Sequence, residues 1–387
     1  MNYQEKNMFK KIALFIILSM SSAAIAAAQS ASKNDSYTWK NDPYNLMNNF
    51  TGYNLDLNLL KQKQTTKRVW DASGILQGEI AREREPEGSV ENLRQLTTVE
   101  LDLVGYVYPW VTGFLSLKYD NEFAPSAMSS IMRTAVLVDR MFVTIGNLEQ
   151  SPFYGSIGKS YLPFGQYIDY MVTRPLTRPL GRTKTRQMSV SYYHLGDTGL
   201  YATAFMYNGN SPVNPKQQYG GAIGYEFQYD QIYINAYVSN IADSEGIVQA
   251  MGSTPALKRV PGVSVHAELI AGPYTLFAEY VGATTAFDDS NLSVNNDNVG
   301  AKPWAATIQG IYLFNTFGKQ SNVAMSYTQT KDTLALGMPE RRLGITYNWV
   351  IVKNTIVSLE YLSDQQFTAA NTNRYAHMVT AQLAWFF

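Results

Sequence analysis

From Asp71 to Phe387 the chain is built of segments in which apolar and polar side chains alternate, and any fold proposed for it has to satisfy that period of two. Val99, Leu101 and Leu103 alternate with Glu100 and Asp102. Ile232, Ile234, Ala236 and Val238 alternate with Tyr233, Asn235, Tyr237 and Ser239, and Val263, Val265, Ala267 and Leu269 with Ser264, His266 and Glu268. Strands are expected near 71–83, 96–108, 110–120, 135–146, 154–163, 186–195, 199–208, 219–228, 231–240, 261–272, 273–283, 303–314, 321–329, 341–350, 354–363 and 374–387. Their connections alternate in length. Short turns fall at Pro109-Trp110, Gly196 to Gly199, Tyr229-Asp230 and Gly272-Pro273. Longer polar loops fall at Arg84 to Gln95, Asn208 to Gln218, Ile241 to Val260, Thr284 to Lys302 and Asp364 to Asn373. Short turns at one end and long loops at the other predict an all-β, antiparallel transmembrane barrel of about 16 strands, with both barrel ends on the periplasmic side.

Composition supports the same class. Only 16% of residues are charged, 13% are aromatic with 27 tyrosines, and the mean hydropathy is −0.19, too polar for a bundle of membrane helices. With no cysteine, disulfide scaffolds, zinc–cysteine sites, iron–sulfur clusters and thiol catalysis are excluded. A formal charge of zero argues against nucleic acid as a partner. A secreted β-sandwich or propeller is the rival architecture. It would need two consistently apolar inner faces, whereas the second face here often carries Gln, Ser, Thr, Asn or Glu.

Both ends of the chain point to export. Lys10-Lys11, the apolar run Ile12 to Leu18 and the small residues Ser21 to Ala28 have the layout of a cleaved signal peptide over residues 1–28, cut after Ala26 or Ala28. The apolar run is too short to cross about 30 Å of hydrocarbon as a helical anchor. At the other end, Val379, Ala381, Leu383, Trp385 and Phe387 share one face of the last segment. That pattern resembles the terminal signal of bacterial outer-membrane proteins and implies the barrel-assembly machinery as a partner through Phe387. The expected localisation is the outer membrane of a Gram-negative cell, with lipid and lipopolysaccharide as surroundings. Residues 29–70 are expected to form a short, partly irregular periplasmic leader with a helix over Leu55 to Gln64. The barrel takes 71–387, and a leader this short leaves no room for a TonB-type plug.

One loop stands out chemically. Pro163, Pro175 and Pro179, with Gly165 and Gly181, prevent strand pairing after the fifth strand. Loop 164–186 is therefore expected to fold into the lumen. It carries Arg174, Arg178, Arg182, Lys184 and Arg186 against a single acid, Asp169. Guanidinium groups bind carboxylate and phosphate bidentately, and rings of them select anions in pores. These five cations are the candidate ligand- and pore-binding residues; the alternative is that they are solvated, or face lipopolysaccharide phosphates.

Leu162-Pro163-Phe164-Gly165, Met171, Pro175-Leu176-Thr177 and Leu180-Gly181 resemble the LbtU family of siderophore porins, most closely over 154–195. The resemblance implies a sixteen-stranded barrel that imports a ferric siderophore, legiobactin in the named member, without a TonB plug. A general or anion-preferring diffusion porin is the alternative. An outer-membrane enzyme is disfavoured: His194, His266 and His377 are scattered, and Tyr193 to Asp197 reads as a strand entering a turn. No catalytic residue, metal ligand or cofactor is expected. Asp288-Asp289-Ser290-Asn291 and Asn295-Asn296-Asp297 lack the order of a calcium loop.

Overall fold

The computed structural model describes residues 55–63, 69–86, 88–107, 109–120, 136–194, 198–209, 217–229, 231–251, 258–294, 299–367 and 375–387. The expected signal peptide and the leader up to residue 54 lie outside the described residues, as do Asp197 and Asn295 to Asp297.

A short helix, α1 (Leu55–Lys63), precedes the strands β1 (Trp70–Arg84), β2 (Val90–Val107), β3 (Val111–Asp120), β4 (Val136–Gly146) and β5 (Phe153–Tyr161). After α2 (Thr177–Gly181) come β6 (Lys184–Tyr193), β7 (Thr198–Asn208), β8 (Gln217–Tyr229) and β9 (Ile232–Ile241). After α3 (Glu245–Ala250) come β10 (Gly262–Ala271), β11 (Tyr274–Ala283), β12 (Trp304–Thr316), β13 (Lys319–Lys331), β14 (Arg341–Val352), β15 (Thr355–Gln365) and β16 (Tyr375–Phe386). Each strand pairs antiparallel with its sequence neighbours, and β1 pairs with β16, so the sheet is a closed barrel of sixteen strands. Closure gives every edge a partner, which is what allows strands to sit in lipid.

The alternation becomes two faces. In β7, Tyr201, Thr203, Phe205 and Tyr207 are buried toward the inside, while Leu200 and Met206 are exposed outward. Phe387 seals the seam. Gly74 N–H donates to its carbonyl at 2.9 Å, and its ring lies where a Cβ on Gly74 would fall, 2.3 Å from Phe387 Cζ. An aromatic ring covering a strand glycine is a known way of fixing register.

One expectation needs correction. The first long loop, Arg84 to Gln95, is a tight turn: Glu85 N–H donates to Ser89 O, Gly88 N–H donates to Glu85 O, and the ladder runs on to Arg84 opposite Val90. Polar residues on both faces look like loop in the sequence, but a hairpin that rises past the hydrocarbon is wetted on both faces. Opposite β4 the register shifts between Ser116 and Leu117 and leaves Asp139 as an extra residue. Asp139 and Arg140 are then both buried on the inner side, and such a bulge re-aims side chains that simple alternation would point outward.

Candidate functional site

The connection from β5 to β6, residues 162–183, does not rise away from the barrel. It crosses the lumen to the opposite wall. Gly165 N–H donates to Ser239 Oγ of β9 at 3.2 Å, and Tyr237 hydroxyl donates to Pro163 O. Gln166 and Tyr167 N–H donate to Glu279 Oε1 of β11 at 2.5 and 3.0 Å, and Thr177 Oγ1 donates to Glu279 Oε2 at 2.7 Å. Tyr170 N–H reaches Gln309 Oε1 of β12 at 3.0 Å. Val172 N–H donates to Glu360 Oε2 of β15 at 2.7 Å, and Thr173 N–H to Glu360 Oε1 at 3.0 Å. A loop rich in proline and glycine leaves its own N–H groups without a ladder, and buried N–H groups must find acceptors. Here Glu279 and Glu360 on the wall accept them, in charge-assisted bonds stronger than neutral ones.

Inside the loop, Asp169 is fully enclosed. Its Oδ1 accepts Met171 N–H at 2.8 Å and Gln309 Nε2 at 3.1 Å. Burial pushes its carboxyl up to about 7, against the pull of Arg174 and of those hydrogen bonds. The loop-side end of the lumen is filled by an apolar cluster, with Leu162, Phe164 and Leu180 from this loop, Ile247 from α3, and Phe287 and Leu336 from later connections.

The five predicted cations divide. Arg182 lies over the Tyr161 ring, with its guanidinium carbon 3.7 Å from the centroid. Lys184 Nζ pairs with Asp139 Oδ1. Arg178 lies within electrostatic reach of Tyr161 and Tyr167, and Arg174 of Asp169. These four gather on the inserted loop and its root. Arg186 does not join them. It shares its face of β6 with Met188 and Val190, pairs across to Lys159, and is exposed on the outside of the barrel. The same period of two gives Lys184 that face as well, and its pairing with Asp139 at the β4 bulge is what sets it apart.

The wall also supplies acids that the loop's own charge count omits. Arg140 is 2% exposed and its Nη2 donates to Glu100 Oε1 at 2.5 Å, with Asp102 Oδ1 at 3.7 Å. Ser116 Oγ also donates to Glu100 Oε1, at 3.0 Å. The basic root of the loop therefore faces Glu100, Asp102 and Asp139, and the local excess of positive charge is smaller than the loop sequence alone gives.

α1 forms where a helix was expected, but inside the lumen and not beneath the barrel. Leu57 and Leu60 pack with Tyr154, Tyr193, Tyr201 and Tyr237, while Leu55 and Leu59 pack with Val104, Tyr106, Phe114 and Phe142. Lys61 Nζ pairs with Glu226 Oε2 at 3.0 Å and sits 4.2 Å from the Tyr193 ring centroid; Ser156 Oγ donates to Asp56 Oδ2 at 2.8 Å. Its neighbours Gly146, Leu148 and Tyr193 place it at the short-turn end. Two inserts thus occupy the lumen, the loop from the long-loop side and α1 from the other. Of the histidines, His266 is buried on the inner wall, His377 stacks outside between Tyr361 and Tyr375, and His194 is exposed at the end of β6. Among the described residues no group of three His, Cys, Asp or Glu could hold a metal ion.

The architecture has solved counterparts, all similar in fold at low identity. OmpF of Salmonella typhi, in a complex with daunomycin, matches with a TM-score of 0.57 at 14% identity, over 82% of this chain and 97% of that one. The anion-selective porin of Comamonas acidovorans matches with a TM-score of 0.55 at 9% identity, over 82% and 99%. The outer-membrane channel DcaP of Acinetobacter baumannii matches with a TM-score of 0.52 at 15% identity, over 82% and 97%. The fold is that of outer-membrane porins, which are channels and not enzymes. No family model matches the chain. Among sequence relatives, UPF0422 protein lpl2888 of Legionella pneumophila (strain Lens) is 29% identical over 352 residues, 82% of this chain and 65% of that protein. A UPF0422 protein of Coxiella burnetii (strain RSA 493 / Nine Mile phase I) is 35% identical over 325 residues, 80% of this chain and 68% of that protein. With that identity over 80% of its length, the chain belongs to the UPF0422 family.

Proposed function

We propose that the protein is a selective outer-membrane channel for a small anionic solute, with a ferric siderophore chelate as the cargo class. The observation that carries this reading is that the inserted loop brings Arg174, Arg178 and Arg182 inside the barrel and is fixed there by Glu279 and Glu360. A guanidinium cluster in a narrow, low-dielectric lumen attracts anions and offers them bidentate contacts. The resemblance to LbtU siderophore porins falls on the same segment and supports iron–siderophore cargo over other anions. A plain diffusion porin is the reading that the test must separate from it.

The test replaces Arg174, Arg178 and Arg182 together by Gln in refolded protein in planar bilayers, alongside uptake of a ferric polycarboxylate chelate in cells. Reversal potentials in a salt gradient should move toward cation preference, and uptake should fall by about tenfold, as expected for several partly hydrated charge contacts. Arg186→Gln, on the outer face, should leave both unchanged. A triple variant with wild-type selectivity and uptake would leave the diffusion-porin reading in place.

A further inference from the structure

The barrel sorts its charges by face. Among the described residues, the acidic side chains of the strands take inward register positions, from Asp71 opposite Val104 to Asp364 opposite Arg342. Basic residues do not follow that rule. Arg82 and Arg84 in β1 alternate with the inward Ala81 and Glu83, and Arg341 in β14 shares its face with the exposed Leu343 and Ile345. All three stand at the long-loop end of their strands, where the outer leaflet meets water.

The closure of the barrel brings them to one wall. Arg84 is the cross-strand partner of His377, and Arg82 of Val379. Arg341 lies opposite Gln365, and Gln365 opposite Tyr375. His377 stacks between Tyr361 and Tyr375, with centroids 6.0 and 6.4 Å away, and its Nδ1 shares a hydrogen bond with the Tyr361 hydroxyl at 2.9 Å. Arg341 lies 4.0 Å from Glu340 in the adjoining loop. Toward the membrane middle the same wall shows Ile80, Ile345 and Val379, all exposed.

We propose that this wall, over β14 to β16 and β1, binds a phosphorylated glycolipid of the outer leaflet, of lipopolysaccharide chemistry. Its phosphates lie on Arg82, Arg84 and Arg341, its sugar against Tyr361, His377 and Tyr375, and its acyl chains on the apolar strip below. Guanidinium groups match phosphate bidentately, and their weak hydration suits them to an interface. Aromatic residues with a polar tip fit the same boundary. Inward placement of the acids removes the repulsion that a phosphate would otherwise meet.

The test titrates refolded protein in neutral detergent with bis-phosphorylated lipid A and reads bound lipid by native mass spectrometry. Replacing Arg82, Arg84 and Arg341 together by Gln should weaken binding by about tenfold, a fair expectation for three interfacial charge contacts. Lys159→Gln with Arg186→Gln, on the opposite wall, should bind as wild type does. Enzymatically dephosphorylated lipid A should bind wild type as weakly as the triple variant binds the phosphorylated form, a comparison that needs no mutant to fold. Wild-type affinity in the triple variant, equal binding of the dephosphorylated lipid, or equal loss in the opposite-wall variant would each overturn the proposal.

Discussion

Tyr167 shows why the loop motif has the residues it does. A Cβ on Gly165, which has φ of 79°, would lie 2.3 Å from Tyr167 Cζ, and one on Gly181 would lie 2.0 Å from the Tyr167 hydroxyl, which donates to Phe164 O at 2.7 Å. Both glycines seat one ring, so Gly181→Ala should cost about 1–3 kcal/mol through overpacking, read as a lower denaturation midpoint. The motif was legible in the sequence, but the ring it serves was not, because Tyr167 looked like any other loop aromatic. Asp169 gives a pH dependence with a definite sign. Its carboxyl is raised to about 7 by burial, so the folded loop holds a proton that the unfolded chain releases near 3.8. Stability from this group is full below the unfolded value and is lost as pH rises toward 7. Amide protection over 165–173, corrected for the intrinsic exchange rate at each pH, should therefore fall from pH 5 to pH 8, and Asp169→Asn should flatten that fall.

The strands were legible because every one has a wet face and a greasy face, and alternation reports that directly. The enclosed helix was harder. Leu57 and Leu60 meet one side of the lumen while Leu55 and Leu59 meet the other, so α1 has no single apolar stripe. Without a polar face to mark solvent, nothing local distinguishes a helix surrounded by wall from a marginal one in a leader. If α1 obstructs the pore, releasing it should raise conductance: Leu57→Asp with Leu60→Asp should give larger single-channel currents and unchanged heat-modifiable mobility on gels. The absence of native cysteine offers a cleaner version. Asp56→Cys with Ser156→Cys, added to that double variant, should tether the helix where Asp56 meets Ser156 and restore the small conductance until a reductant is added.

Sixteen strands put both barrel ends on one side, with the long connections on the other. An epitope inserted at Asp289, between β11 and β12, should be labelled on intact cells, and one at Asn354, between β14 and β15, only after permeabilisation; the reverse pattern would invert the topology. The charge sorting of the outer wall belongs to this scale too, since alternation gives each residue's face but not which strands closure makes neighbours. Closure has a consequence in time as well. The loop rooted between β5 and β6 is held by Glu360, 188 residues beyond Val172, on the penultimate strand. Contacts so distant in sequence form late, because the entropy of joining them is lost before they return anything. The stretch at Val172 and Thr173 cannot dock until β15 has joined the wall, so an unfinished barrel would carry it loose and open to proteolysis near Arg174. A protease pulse during assembly would then register completion itself, with cleavage ceasing when the last hairpin arrives.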